Sequence, residues 1–200
     1  MDNRKKSKKR AIFTIGHSTR TLDELIELLR AHGVRRVIDI RTIPGSRRNP
    51  QYNRETLGPS LRAAKIGYVH LKSLGGLRKA RANSRNAGWH NASFRGYADY
   101  MQTPEFEAAL KRAIKLSGTK PSALMCAEAV PWRCHRSLVA DALTALKFPV
   151  EHIMSASRAN PHKLTSFARV RGKKVTYPSD RPIRRKATSL KSKEKSKSPA

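Results

Sequence analysis

The sequence predicts an α/β fold: a single domain with a mostly parallel sheet of about five strands flanked by helices, between disordered basic tails. Three observations predict it. Short apolar runs rich in β-branched residues alternate with helix-patterned segments, and strand–helix alternation builds a parallel sheet covered on both faces. The chain has 200 residues, enough for one domain with a real core and too few for two full ones. Charge gathers at the ends: residues 1–10 hold six basic and one acidic side chain, and residues 171–200 hold eleven and two.

The elements follow in order. Residues 11–15 (A-I-F-T-I) read as a buried strand and residues 16–19 as the turn after it. Thr21 and Glu24 have capping-box spacing, so each side chain can accept from the other's backbone N–H. Leu22, Leu25, Ile26 and Leu29 form one helical face, and Gly33 ends the helix. Residues 37–40 (V-I-D-I) make the second strand. A polar loop with Pro44, Gly45 and Pro50 leads to a weaker helix over about residues 54–65, which Gly58-Pro59 should interrupt. Residues 68–71 (Y-V-H-L) are the third strand.

Residues 72–92 form a long loop rich in Gly, Arg and Asn, and loops of that length are usually functional or mobile. Its Trp89 and His90 suit stacking on a nucleic-acid base. Phe94, Tyr97 and Met101 mark a short helix. Thr103-Pro104 starts another by placing a cap before a proline at the first helical position. Phe106, Ala109, Leu110, Ala113 and Ile114 are its inward face. A fourth strand over residues 122–126, a helix over about 135–146 and a fifth strand over 150–154 complete the domain. Its expected span is 11–157, with 1–10 and 158–200 as basic tails; residues 158–170 either pack on the domain or open the tail.

Lys and Arg total 43 against 14 Asp and Glu, a formal charge of +29. Hydrophobic residues make up 38%, below the ordinary globular share, as expected if part of the chain is unpacked. No apolar run approaches the roughly 20 residues of a membrane helix. The run at 11–15 is shorter than the roughly 7–15-residue core of a signal peptide. Two cysteines make no disulfide scaffold, and reduced thiols in a cytoplasm are expected. These features exclude a membrane protein, a collagen-like chain and a cysteine-stapled secreted module.

The charge is of two kinds. In the end segments Lys outnumbers Arg eleven to six, which suits loose attraction to polyanions. Between Arg35 and Arg95 there are 14 basic residues, eleven of them Arg, against only Asp39 and Glu55. Arg captures phosphate or carboxylate with two prongs, whereas Lys acts as a point charge. An anionic ligand is therefore expected at the middle of the chain.

Sites in open α/β sheets lie beyond the carboxyl ends of the strands. There the sequence collects Gly16, His17 and Ser18 after the first strand, and Asp39, Arg41, Ser46 and Arg47 after the second. Gly75 and Gly76 follow the third. Cys126 and Glu128 follow the fourth, with Cys134, His135 and Arg136 at the next helix N-terminus. Cys126, Glu128, Cys134, His135, His17 and Asp39 are the candidate catalytic groups. Gly16, Ser18, Arg41, Ser46, Arg47, Gly75, Gly76 and Arg136 are the candidate substrate or anion contacts.

Structural roles compete at several positions. His17 can cap its turn, Asp39 and Arg41 can pair locally, the two glycines can supply positive φ, and Cys126 can be a core thiol. A thiol beside cations at a helix N-terminus has a lowered pKa. Three chemistries stay open: a thiolate nucleophile with a histidine base and Glu128, metal ligation by Cys126, Cys134 and a histidine, and simple anion binding. The C-x7-C spacing is not that of a standard zinc knuckle, so no metal ligand is assigned and no cofactor is named. Arg133 follows Cys126 after six residues, one more than a phosphatase-type loop requires.

T-I-G-H-S at 14–18, D-I-R at 39–41, P-G-S-R at 44–47, Y-N at 52–53, I-G-Y at 66–68, L-G-G at 74–76, M-C-A-E at 125–128, C-H-R at 134–136 and H-I at 152–153 occur in that order. Together they resemble the bacterial and archaeal domain-of-unknown-function 488 family over about residues 12–154. The resemblance implies an α/β domain and names the same strand-end residues as candidates, but no reaction. The basic tails lie outside that pattern. The expected function is an enzyme acting on a phosphate-bearing or nucleic-acid substrate. The alternatives are a non-catalytic, sequence-independent nucleic-acid-binding protein and a metal- or redox-responsive regulator. Expected partners are DNA, RNA or another polyanion, or a phosphorylated small molecule, with no membrane; no oligomeric state is assigned.

Overall fold

The computed structural model describes residues 9–179. Five strands, β1 (Ile12–Gly16), β2 (Arg36–Asp39), β3 (Gly67–His70), β4 (Ser122–Cys126) and β5 (Val150–Ser155), run parallel, and β6 (Arg158–Pro161) pairs antiparallel with β5. The order across the sheet is β3-β2-β4-β1-β5-β6. The helices are α1 (Leu22–Ala31), α2 (Arg54–Ala63), α3 (Ala92–Tyr100), α4 (Pro104–Thr119) and α5 (Arg136–Ala145). A separate hairpin joins β7 (Arg169–Arg171) to β8 (Lys174–Thr176). The fold is the expected single α/β domain, with one antiparallel edge strand more than the five parallel ones.

Strand β4 is buried throughout, and its side chains alternate between two cores. Ala123 and Met125 meet Leu25, Leu29, Leu57 and Leu61 of α1 and α2. Leu124 and Cys126 meet Tyr97, Leu110, Leu138 and Val139 of α3, α4 and α5. Period-two side-chain alternation thus assigns each group of helices its face of the sheet. The chain leaves β1 and β2 toward α1 and α2, on one face. It leaves β4, which lies between them, toward α5 on the other. A crevice therefore opens at the carboxyl end of β4.

Local chemistry fixes the element ends. Thr21 forms the predicted capping box: its side chain accepts from the Glu24 N–H, and Glu24 accepts from the Thr21 N–H at 2.6 Å. Such a cap contributes about 1 kcal/mol. Helix α2 differs from expectation, because it runs through Gly58-Pro59 without a break. Pro59 is exposed, so the carbonyl it leaves without a helical donor can turn to water, while Leu57 and Leu61 hold the inner face.

The larger correction concerns the C-terminal boundary. The chain does not leave the domain at 157. Residues 158–161 extend the sheet, Val175 and Tyr177 are buried against α5, and the Tyr177 hydroxyl donates to Asp141 at 2.8 Å. Two apolar anchors among many charges hold this segment, and such a composition reads as a tail. Residues 1–8 and 180–200, which carry most of the expected tails, lie outside the described residues. Among the described residues, no helix is long and apolar enough to cross a membrane.

Candidate active site

Cys126 ends β4, and Cys134 and His135 precede α5, so a strand end and a helix start bring them to one point. Cys126 Sγ lies 3.9 Å and Cys134 Sγ 3.6 Å from His135 Nδ1. The three atoms lie within 4.8 Å of one another. Cys134 also acts as a helix cap, its sulfur accepting the Arg136 backbone N–H at 3.4 Å.

His135 is held on its far side. Its Nε2 lies 3.2 Å from the Ile40 carbonyl, which can only accept, so Nε2 carries a proton. A neutral ring then bears its lone pair on Nδ1, facing the two sulfurs. Gly76 lies against this ring: a Cβ there would stand 2.5 Å from Nδ1. Gly75 is likewise pressed on Thr42. Neither glycine has positive φ; close approach is what requires them.

The two thiols are coupled. The hydrogen bond from Cys134 pulls the Cys126 pKa down, helped by His135 and Arg136 and opposed by burial. The same bond and burial push the Cys134 thiol up. Cys126 is therefore the first to ionise. Arg136 is 1% exposed, and its Nε and Nη1 have no hydrogen-bond partner among the described residues, while Nη2 donates to the Ala129 carbonyl at 3.2 Å. A buried guanidinium so poorly satisfied calls for negative charge beside it, and the sulfurs can supply it.

Above the cluster is an open pocket of about 470 Å3. Gly76, Cys126, Glu128, Cys134, His135 and Arg41 of the predicted set line it. Glu128 is exposed on its wall, as is Arg133. Ile43 and Leu77 form apolar lips, 69% and 72% exposed, and Thr42, Ser93, Phe94 and Ala127 complete the lining. The motif reading missed Thr42, Ile43, Leu77, Phe94 and Arg133. The available signal was apolar Ile43 and Leu77 standing in otherwise polar loops.

The other candidates are placed elsewhere. Asp39 is fully buried, and its oxygens accept from Arg41 Nε, Arg41 Nη2, the Arg41 backbone N–H and the Tyr68 hydroxyl. Arg41 also donates through Nη2 to the Tyr52 carbonyl and approaches His17 Nε2 with Nη1 at 3.3 Å. His17 donates from Nδ1 to the Ser18 carbonyl and stacks on Tyr52 at 3.9 Å. Burial lowers the His17 pKa, so the neutral ring is favoured.

Asp39, Arg41 and His17 were expected to catalyse or to hold an anion. Their polar atoms are instead spent on one another, and they support the pocket floor. Gly16 sits on the seam of β1 and β4, where a Cβ would overlap the Glu128 carbonyl. Ser18, at φ 53°, donates its N–H to the Ala127 carbonyl. Ser46 and Arg47 order and edge the loop before α2, away from this pocket, and Ser46 Oγ accepts the Asn49 N–H. Trp89 is not an exposed stacking platform, because it packs among Phe94, Phe167 and Tyr177.

No curated protein and no solved structure matches the chain. The family model described as "Domain of unknown function DUF488" matches residues 21–143. That span runs from the α1 cap into α5 and takes in Cys126, Glu128, Cys134, His135 and Arg136; β1, β5 and the C-terminal strands fall outside it. The ordered motifs, the parallel sheet and this match agree, and the chain belongs to the DUF488 family.

Proposed function

We propose that the protein is an enzyme whose reaction occurs at the Cys126–Cys134–His135 cluster, on an anionic substrate such as a nucleotide or nucleic acid. One observation carries the reading: two sulfurs and an imidazole nitrogen converge on the floor of an open pocket with an exposed carboxylate on its wall. Glu128 is placed to move protons. Arg133, with no side-chain partner among the described residues, draws in the anionic part, and Ile43, Leu77 and Phe94 receive the less polar part. The charge of +29 raises the local concentration of polyanions.

The test is product analysis by mass spectrometry after incubating full-length protein with nucleotides and with DNA and RNA oligonucleotides. Turnover of at least one substrate is expected. Glu128→Gln should reduce it about 100-fold or more without changing the melting temperature. The reading fails if no substrate is consumed, or if Glu128→Gln is as active as the native chain. Steeply salt-dependent binding without turnover would favour the non-catalytic alternative.

A further inference from the structure

We infer that Cys126, Cys134 and His135 form a three-ligand site for a divalent metal of the zinc class, with its fourth position open to the pocket for an anionic ligand. The inference rests on the reading of this cluster as the reactive centre and names its cofactor. Tetrahedral zinc with Zn–S near 2.3 Å and Zn–N near 2.0–2.1 Å requires S···N edges of about 3.5–3.6 Å. The sulfurs stand 3.6 and 3.9 Å from His135 Nδ1. These two edges thus require adjustments of a few tenths of an ångström at most to hold an ion.

The surroundings have the form of a second shell. A metal-binding imidazole characteristically donates its other N–H to a carbonyl or carboxylate, and His135 Nε2 faces the Ile40 carbonyl. The Arg136 backbone N–H on Cys134 Sγ stabilises a thiolate. The spacing argument against metal fails because the ligands come from a strand end and a helix start. A knuckle spacing describes ligands on one tight turn.

Three protein ligands leave one position for substrate, as in catalytic rather than structural zinc sites. Charge selects what enters it. Two thiolates neutralise a dication, which leaves the buried Arg136 guanidinium with the Glu128 carboxylate as its remaining negative neighbour. An anionic fourth ligand, such as a phosphate or carboxylate oxygen, restores the balance. Glu128 and Arg133 flank the approach.

The experiment is metal analysis of full-length protein purified under reducing conditions without chelator, followed by Co2+ titration of the stripped protein. The expected result is about one zinc-class ion per chain and a sulfur-to-cobalt charge-transfer band that saturates at one equivalent. Cys126→Ser, Cys134→Ser and His135→Asn should each weaken Co2+ binding at least about tenfold. Gly76→Ala, which keeps all three ligands but drives a methyl against Nδ1, should weaken it about 10–100-fold. Circular dichroism on each variant separates lost binding from lost fold.

No bound metal together with no charge-transfer band in folded, reduced protein overturns the site. So does a Co2+ affinity left unchanged by His135→Asn in a folded variant. Turnover by metal-free protein overturns the metal but keeps the enzyme reading. Stoichiometric metal with no turnover keeps the site and overturns the enzyme.

Discussion

Helix α5 carries two buried polar clusters within its first turns, and they are built on opposite rules. At its start, Arg136 leaves two side-chain nitrogens without a hydrogen-bond partner among the described residues, and two cysteine sulfurs nearby in the chain open to a pocket. At Asp141 every side-chain donor has an acceptor. The carboxylate takes His162 Nε2 at 2.8 Å, Thr165 Oγ1 at 2.7 Å, the Thr165 N–H at 3.0 Å and the Tyr177 hydroxyl at 2.8 Å. His162 Nδ1 meets His152 Nε2 at 2.9 Å, and His152 Nδ1 meets Thr14 Oγ1 at 2.7 Å. With both rings neutral, each proton from Thr14 to Asp141 has one acceptor. A closed network ties the chain together; an open one holds unspent chemistry.

The comparison can be broken most forcefully at Asp141. Asp141→Ala leaves His162, Thr165 and Tyr177 donors buried without an acceptor. It should cost about 3–5 kcal/mol in urea unfolding. Amide exchange should show protection lost first over residues 158–178, which this network fastens to α5. Equal protection loss across the sheet would mean the network does not hold that segment in particular.

Per pH unit, acid should act on the same cluster by a smaller amount. Burial, with His162 and Arg136 nearby, lowers the His152 pKa from 6.5 to about 3, against the pull of Asp141. The unfolded chain therefore binds more protons between these values. The stability contributed by neutral His152 is complete above about pH 6.5 and is lost as pH falls toward 3. The slope should be at most about 1.4 kcal/mol per pH unit. In His152→Asn the slope over that window should flatten; an unchanged slope would assign the acid response elsewhere.

The smallest stability effect is expected at the open cluster. Arg136→Met removes a poorly satisfied buried cation and keeps the apolar stem. Stability should change by less than about 1 kcal/mol or rise. Turnover should fall, because the cation that favours the Cys126 thiolate is gone. A loss of several kcal/mol would make Arg136 a structural pillar equivalent to Asp141.

The fold was legible wherever side chains alternated cleanly. The five parallel strands and α1, α3, α4 and α5 stand where apolar spacing and caps put them. The closed cluster was not legible. Asp141 reads as one charge on an ordinary helix, and its partners His162, Thr165 and Tyr177 all come from the segment after β5. The same distance in sequence hid the packing of residues 158–178.

The open cluster was visible because strand-end residues share one rim in a parallel sheet, so motif order stood in for geometry. What motif order could not give was direction. Asp39 and His17 belong to the same rim yet lie outside the pocket lining, and Arg41, which touches the pocket, spends its guanidinium on Asp39, His17 and the Tyr52 carbonyl. Ile43, Leu77 and Arg133 form its mouth with no motif to mark them.

The most direct test of the contrast is urea unfolding of the Cys126→Ala/Cys134→Ala double variant beside Asp141→Ala, in reduced, chelator-treated protein. The account predicts that the double variant stays within about 2 kcal/mol of the native chain while Asp141→Ala loses more. If the double variant proves the less stable of the two, the sulfurs are core elements and the distinction between open and closed clusters is wrong.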